Sequence, residues 1–181
     1  MKKEIHNALK VLTNGGIILY PTDTIWGIGC DATNENAVAK IFKIKKRAES
    51  KALISLVCNK KQLKNMTGNI PDLDITSVPT TIIYPSAKGI NKKLLASNGS
   101  AAIRIVKDNF CQQLIKNLGK AIVSTSANIS GSASPRKFSE IAEEIKKNVD
   151  YIVSLRHDEI MTTPSKVLII NKDGSIKKIR S

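Results

Sequence analysis

Histidine and cysteine are both scarce in this chain, and their scarcity argues against whole classes of chemistry. Only His6 and His157 are present, and neither sits in a ligand-like cluster. A histidine-rich metal site and a Ser-His-Asp triad are therefore disfavoured. Cys30, Cys58 and Cys111 are odd in number and lack C-x-x-C spacing. That predicts a reduced, cytoplasmic protein without a structural zinc site. Aromatic residues make up only 4% of the chain, and they are not interleaved with basic residues as in single-strand binders. No apolar run approaches the roughly 20 residues that a spanning helix needs. The opening MKKEIHNALKVL lacks an adequate apolar core and a small-residue cleavage site, so it reads as an amphipathic helix rather than a signal peptide. No carboxylate cluster suggests a dedicated magnesium cage.

Positive charge is what the chain has in excess. Lys and Arg number 29 against 15 Asp and Glu, a net charge of +14. Such a surplus favours anionic partners (a nucleotide, a nucleic acid or an acidic surface), although diffuse lysine also serves simply to solvate a surface. The arginines are few: Arg47, Arg104, Arg136, Arg156 and Arg180. Their planar forks suit phosphate and carboxylate, so their positions carry more information than those of the lysines.

At 181 residues the expectation is one domain, 1–181, with a sizeable core. Ile5, Ala8, Leu9 and Leu12 keep helical spacing up to Gly15-Gly16. Residues 17–20 read as a buried strand stopped by Pro21, and 21–33 as a loop. Val38, Ile41 and Phe42 form the stripe of a helix starting near Asn34. Lys45 continues that stripe inward, where it needs an anionic partner or a route to water. Strands are predicted over 53–58, 80–84, 101–106, 121–125 and 151–155, with a polar loop over 85–100. Helices are predicted around Phe110–Leu114–Leu118 and Phe138–Ile141–Ala142–Ile145. A hairpin turns at Lys172-Asp173-Gly174 between 166–171 and 175–180. The class is α/β with a mixed sheet.

The most informative stretch is STSANISG, 124–131. It follows the apolar run Ala121-Ile122-Val123 and crowds Ser124, Thr125, Ser126, Asn128 and Ser130 at a strand's end. Ligands bind beyond the carboxyl ends of strands in open α/β sheets, and small hydroxyls with free N–H groups suit phosphate or carboxylate oxygens. A polar turn that merely caps the next helix is the alternative. Arg104 poses a similar choice. It interrupts the strand AAIRIV and shares a face with Ala102 and Val106, so it needs an internal salt bridge, a place at the sheet edge or an anionic ligand.

Four segments in a fixed order resemble the YrdC/TsaC/Sua5 family of threonylcarbamoyl-AMP synthases, in its single-domain form. They are YPTDTIWGIGCDA (20–32), KIKKRAESKAL (43–53), AAIRI (101–105) and STSANISG (124–131), with TPSKVLII (163–170) as a weaker fifth. The resemblance implies a twisted mixed β-sheet flanked by helices around a basic cavity, the YrdC-like or DHBP synthase-like fold. It also implies nucleotidyl transfer: L-threonine, bicarbonate or CO2, and ATP become threonylcarbamoyl-AMP and pyrophosphate. The product serves N6-threonylcarbamoyladenosine (t6A) formation in tRNA, through a transferase complex of partner proteins.

Carried over by residue, the resemblance assigns Lys45 and Arg47 to the triphosphate and the reacting α-phosphoryl group. Lys51, Ser100, Ser126, Asn128, Ser134 and Arg180 are assigned to ATP. Thr24, Arg104, Ser124 and Ser165 are assigned to L-threonine. Trp26 matches an aromatic position at the cavity wall. No residue is assigned to a metal, and Mg2+ arrives with ATP. Without the resemblance, KIKKR would read as a solvated basic helix end, Thr24 as a turn residue and Trp26 as core. Two departures stand out. Lys166 follows Ser165 where the family often has threonine, so Ser165 keeps its role only if the strand alternates. SVPTTIIYP lacks the family's tryptophan and glycine, and no substrate role is carried onto it. The competing reading is a non-catalytic RNA-binding protein of the same fold, which the charge favours and the low aromatic content opposes. A hydrogenase-maturation carbamoyl-transfer domain would bring zinc-finger and acylphosphatase segments. A phosphosugar lyase of related fold would need acidic metal ligands. Neither set is found in the sequence.

Overall fold

The computed structural model describes every residue except 47, 49–52 and 172. Its elements run α1 (Lys2–Thr13), β1 (Ile18–Tyr20), β2 (Gly27–Gly29), α2 (Glu35–Ile44), β3 (Ile54–Val57), α3 (Lys60–Thr67), β4 (Thr80–Tyr84) and β5 (Ala101–Ile105). They continue with α4 (Asn109–Leu118), β6 (Ile122–Ser126), α5 (Glu143–Lys147), β7 (Tyr151–Ile152), β8 (Lys166–Ile170) and β9 (Ile176–Arg180). The strands form one mixed sheet in the order β7-β1-β2-β6-β3-β5-β4-β8-β9. Pairs β1–β7, β3–β5 and β4–β8 are parallel, and the others are antiparallel.

Helices begin where short polar side chains offer caps. Asn34, Asn59 and Asp108 each accept an N–H from three residues on, satisfying a donor that the first turn leaves open. Strand alternation then divides the core in two. Leu19, Ile28, Val57, Ile103 and Val123 face α2 and α3, packing with Val38, Ile41, Phe42 and Leu63. Ile18, Tyr20, Leu56, Ile122 and Val153 face α1 and α4, packing with Leu12, Phe110 and Leu114. On that second face the two helices contact β1, β7 and β3. The remaining sheet surface, towards β4, β8 and β9, is left as the floor of a cavity.

Several expectations need correction. The span 21–33 is not all loop: Gly27–Gly29 forms β2, sandwiched between β1 and β6. It was hidden because it is Gly-Ile-Gly, with one side chain to show alternation. Gly29 is required there by close approach. A Cβ would lie 2.1 Å from the Val123 carbonyl oxygen and 2.9 Å from the Tyr20 ring, whose hydroxyl donates to that same carbonyl. α3 was not anticipated, since only Leu63 and Met66 of its residues are buried. The helix expected over 138–145 splits into a 3-10 turn, Phe138–Glu140, and the five-residue α5. Glu140 reaches back to the Arg136 N–H, and Ala142 is extended, with ψ at 139°. The strand expected over 151–155 pairs only at Tyr151–Ile152. The loop over 85–100 contains a 3-10 turn and the fully buried Leu94.

Candidate active site

Register builds the cavity floor. Ile54, Ala102, Ile83 and Ile169 align across β3, β5, β4 and β8. One step along, Leu56, Arg104, Thr81, Val167 and Arg180 align across β3, β5, β4, β8 and β9. The second row places two guanidinium groups on one surface, separated by a threonine and a valine. The cavity above it measures about 410 Å³.

Thr24, Trp26, Arg104, Ser124, Ser126, Ser134, Ser165 and Arg180 all line this cavity. Residues distant in sequence are thus brought to one wall. Ser124 and Ser126 point into it because β6 alternates, with Val123 turned to the opposite core. Ser165 is buried and its hydroxyl lies 2.8 Å from that of Thr81. Lys166 alternates outward, as the role of Ser165 required. Arg180 donates to the Ser165 carbonyl through Nε and Nη2, at 3.1 and 2.8 Å. This fixes the end of β9 against the segment before β8.

Arg104 is 3% exposed and donates to Asp23 at 3.0 Å. The internal salt bridge weighed from the sequence is therefore present, and the residue also lines the cavity. Its Nε is buried and has no hydrogen-bond partner among the described residues. Asp23 does not serve its own turn: its second oxygen accepts the Lys107 N–H at 2.9 Å, tying the loop after β1 to the end of β5. Within that loop, the Thr22 hydroxyl donates to the Ile25 carbonyl at 2.8 Å and lies 2.9 Å from the Thr24 hydroxyl. With Thr22's one proton so used, Thr24 is the donor between them, and Thr24 Oγ1 keeps its lone pairs for a ligand.

Lys45 and Asn128 sit behind this wall rather than in it. Lys45, 1% exposed, donates to the Ser126 and Asn128 carbonyls at 2.6 and 2.7 Å. Its own carbonyl accepts the Ser130 N–H, so lysine and loop hold each other. The Asn128 amide donates to the Ile129 and Ser132 carbonyls, shaping the turn that follows Ser126. Ser100 lies in an adjoining depression that shares Ile83 with the main cavity. Arg47 and Lys51 lie outside the described residues. Sequence reasoning missed Thr81 and Ile83, which stand in the segment left without a role. Their signal was the alternation of 80–84, which puts both on the Arg104 face once β4 pairs with β5. Trp26 is fully buried, tilted against Phe138 at 5.2 Å and His157 at 5.5 Å, with its Nε1 unpartnered among the described residues.

No group of three acidic, histidine or cysteine side chains that could hold a metal occurs among the described residues, and no helix is long and apolar enough to cross a membrane. A family model described as "Telomere recombination", covering Sua5, YciO and YrdC proteins, matches residues 10–181. The threonylcarbamoyl-AMP synthase of Idiomarina loihiensis is 32% identical over 162 residues, 82% of either chain. A variant of P. abyssi Sua5 superposes with a TM-score of 0.85 at 25% identity, over 95% of this chain and 54% of that one. P. abyssi Sua5 complexed with L-threonine superposes with a TM-score of 0.79 at 24% identity, over 93% and 51%. The chain thus spans about half the length of P. abyssi Sua5.

Proposed function

The chain belongs to the Sua5/YciO/YrdC family, and we propose that it is a threonylcarbamoyl-AMP synthase, a nucleotidyltransferase acting on L-threonine, bicarbonate and ATP. The observation that carries this reading is the cavity wall. It sets two arginines and a cluster of hydroxyls beside an apolar row of the sheet, a surface suited to a small zwitterion beside a nucleotide. Relatives bearing the synthase name cover most of this chain.

In this reading L-threonine lies between β1 and β8. Its carboxylate meets Arg104, its amine meets the acceptor on Thr24, and Ser124 and Ser165 complete the pocket. The ammonium passes one proton to bicarbonate, which loses water to give CO2. The free amine adds to CO2 and releases a second proton to solvent, giving a carbamate. A carbamate oxygen attacks the α-phosphorus of ATP, and the bond to the β-phosphate oxygen breaks, releasing pyrophosphate. The protein's task is positioning and charge neutralisation rather than covalent chemistry. Ser126, Ser134, Ser100 and Arg180, with Arg47 and Lys51, serve the nucleotide, and Asn128 shapes the turn that presents Ser126. Lys45 holds that turn and supplies positive charge beneath it. Mg2+ enters as part of the nucleotide substrate. The whole of 1–181 acts as one catalytic domain, in the cytoplasm, and hands its product to a t6A transferase complex acting on tRNA. The non-catalytic RNA-binding reading is not favoured, because it leaves the cavity without a use.

The test is direct. Protein with MgATP, bicarbonate and L-threonine should release pyrophosphate and yield a threonylcarbamoyl-adenylate mass. Neither should form without threonine. Folded protein that forms no adenylate overturns the reading.

A further inference from the structure

We propose that Arg156 is a positioning residue for the L-threonine pocket, acting through Thr22 on Thr24. The inference rests on the function proposed above. Arg156 stands just after β7, the strand that runs parallel to β1 with Leu19 opposite Ile152. The bond from its guanidinium to the Thr22 carbonyl sets this turn against the loop that leaves β1. Arg156 takes φ 58°, a left-handed conformation that bulky side chains rarely adopt and that persists where surrounding contacts hold it.

Those contacts are specific. Its Nη1 donates to the Thr22 carbonyl at 2.9 Å and to Asp108 Oδ2 at 2.8 Å. Its Nε and Nη2 engage the Glu159 carboxylate. Asp108 also caps α4 through its other oxygen, so the guanidinium is anchored to a helix terminus. Thr22 is the hub of the neighbouring loop. Its carbonyl is held by Arg156, while its hydroxyl accepts the Thr24 N–H and orders the Thr24 hydroxyl. The next residue in the turn holds the far end of the same loop. His157 stacks on Phe138 at 3.9 Å and 9° and lies against Trp26. One strained turn thus fixes both ends of 22–26, whose middle faces the cavity.

Arg156→Gly is the decisive variant, because glycine relaxes the left-handed backbone while deleting the clamp. We expect the KM for L-threonine to rise about tenfold, as for a lost charged hydrogen bond, with kcat and the KM for ATP within about twofold of wild type. Hydrogen exchange in the peptide spanning 21–27 should accelerate while that of β5 does not. Arg156→Lys, a point charge without the fork, should recover part of the threonine affinity and guards against a glycine variant that fails to fold. A folded variant with unchanged threonine KM and unchanged loop exchange overturns the inference, as does an equal rise for ATP. If wild-type protein forms no adenylate, the proposed function fails instead. The exchange measurement then still decides whether Arg156 orders the loop.

Discussion

Arg104 stands in an otherwise apolar strand, and its charge serves two purposes that one substitution would confound. It neutralises Asp23 in a buried pair with side chains 3% and 7% exposed, and it faces the cavity. Arg104→Ala leaves the Asp23 carboxylate with the Lys107 N–H as its remaining described partner. Removing one member of a buried pair costs about 3–5 kcal/mol, so we expect this variant to lose stability as well as turnover. Adding Asp23→Ala should restore much of the stability and none of the turnover. Denaturant unfolding and the adenylate assay on the single and double variants separate the two roles. An Arg104→Ala protein as stable as wild type would show that the pair contributes nothing to folding.

At the scale of elements, β2 is the least expected strand and the one with the least tolerance. It lets the Tyr20 ring cross the sheet to reach the Val123 carbonyl, and Gly29 leaves the space through which that contact passes. Gly29→Ala forces a methyl onto a backbone oxygen, which cannot swing aside as a flexible side chain can. We expect at least about 3 kcal/mol of destabilisation, or no folded protein at all, read by thermal unfolding. Gly27, whose Cβ would stand 3.2 Å from both Ser124 Oγ and the Thr125 carbonyl oxygen, is less crowded than Gly29 and should tolerate alanine better. The same strand shows what the sequence could reveal. Elements with several buried side chains at a regular period, such as α2, α4, β5 and β6, were readable directly. β2 and α3 were not, because two glycines or two buried residues leave too little pattern. The hydroxyl cluster at the end of β6 was legible as a polar patch at a strand's end, and the fold sets its serines along the cavity. The partnership of Arg104 with the loop residue Asp23, and that of Thr81 with Ser165 just before β8, depends on how segments far apart in the chain are brought together, which local pattern does not encode.

Across the whole molecule, the +14 net charge is carried mainly by dispersed lysines rather than by a built groove with stacking aromatics. RNA association should therefore be electrostatic and non-specific. We expect tRNA affinity to fall about tenfold or more between about 50 and about 200 mM salt, while threonine-dependent adenylate formation persists without RNA. Salt-insensitive tRNA binding would instead indicate a dedicated RNA site. The strand order has a consequence of another kind. β1 pairs with β7 across Ile18 and Tyr151, and β4 pairs with β8 across Thr80 and Lys166. During synthesis the early strands must wait for partners translated much later, and such long-range parallel pairing is slow to form. Ser165 and Arg180, which line the cavity, emerge well after β1 and β5. A chain released early by a stalled ribosome carries Arg104 and the serines of β6 but no finished wall. Such fragments have no assembled pocket, and their unpaired strand edges are templates for aggregation.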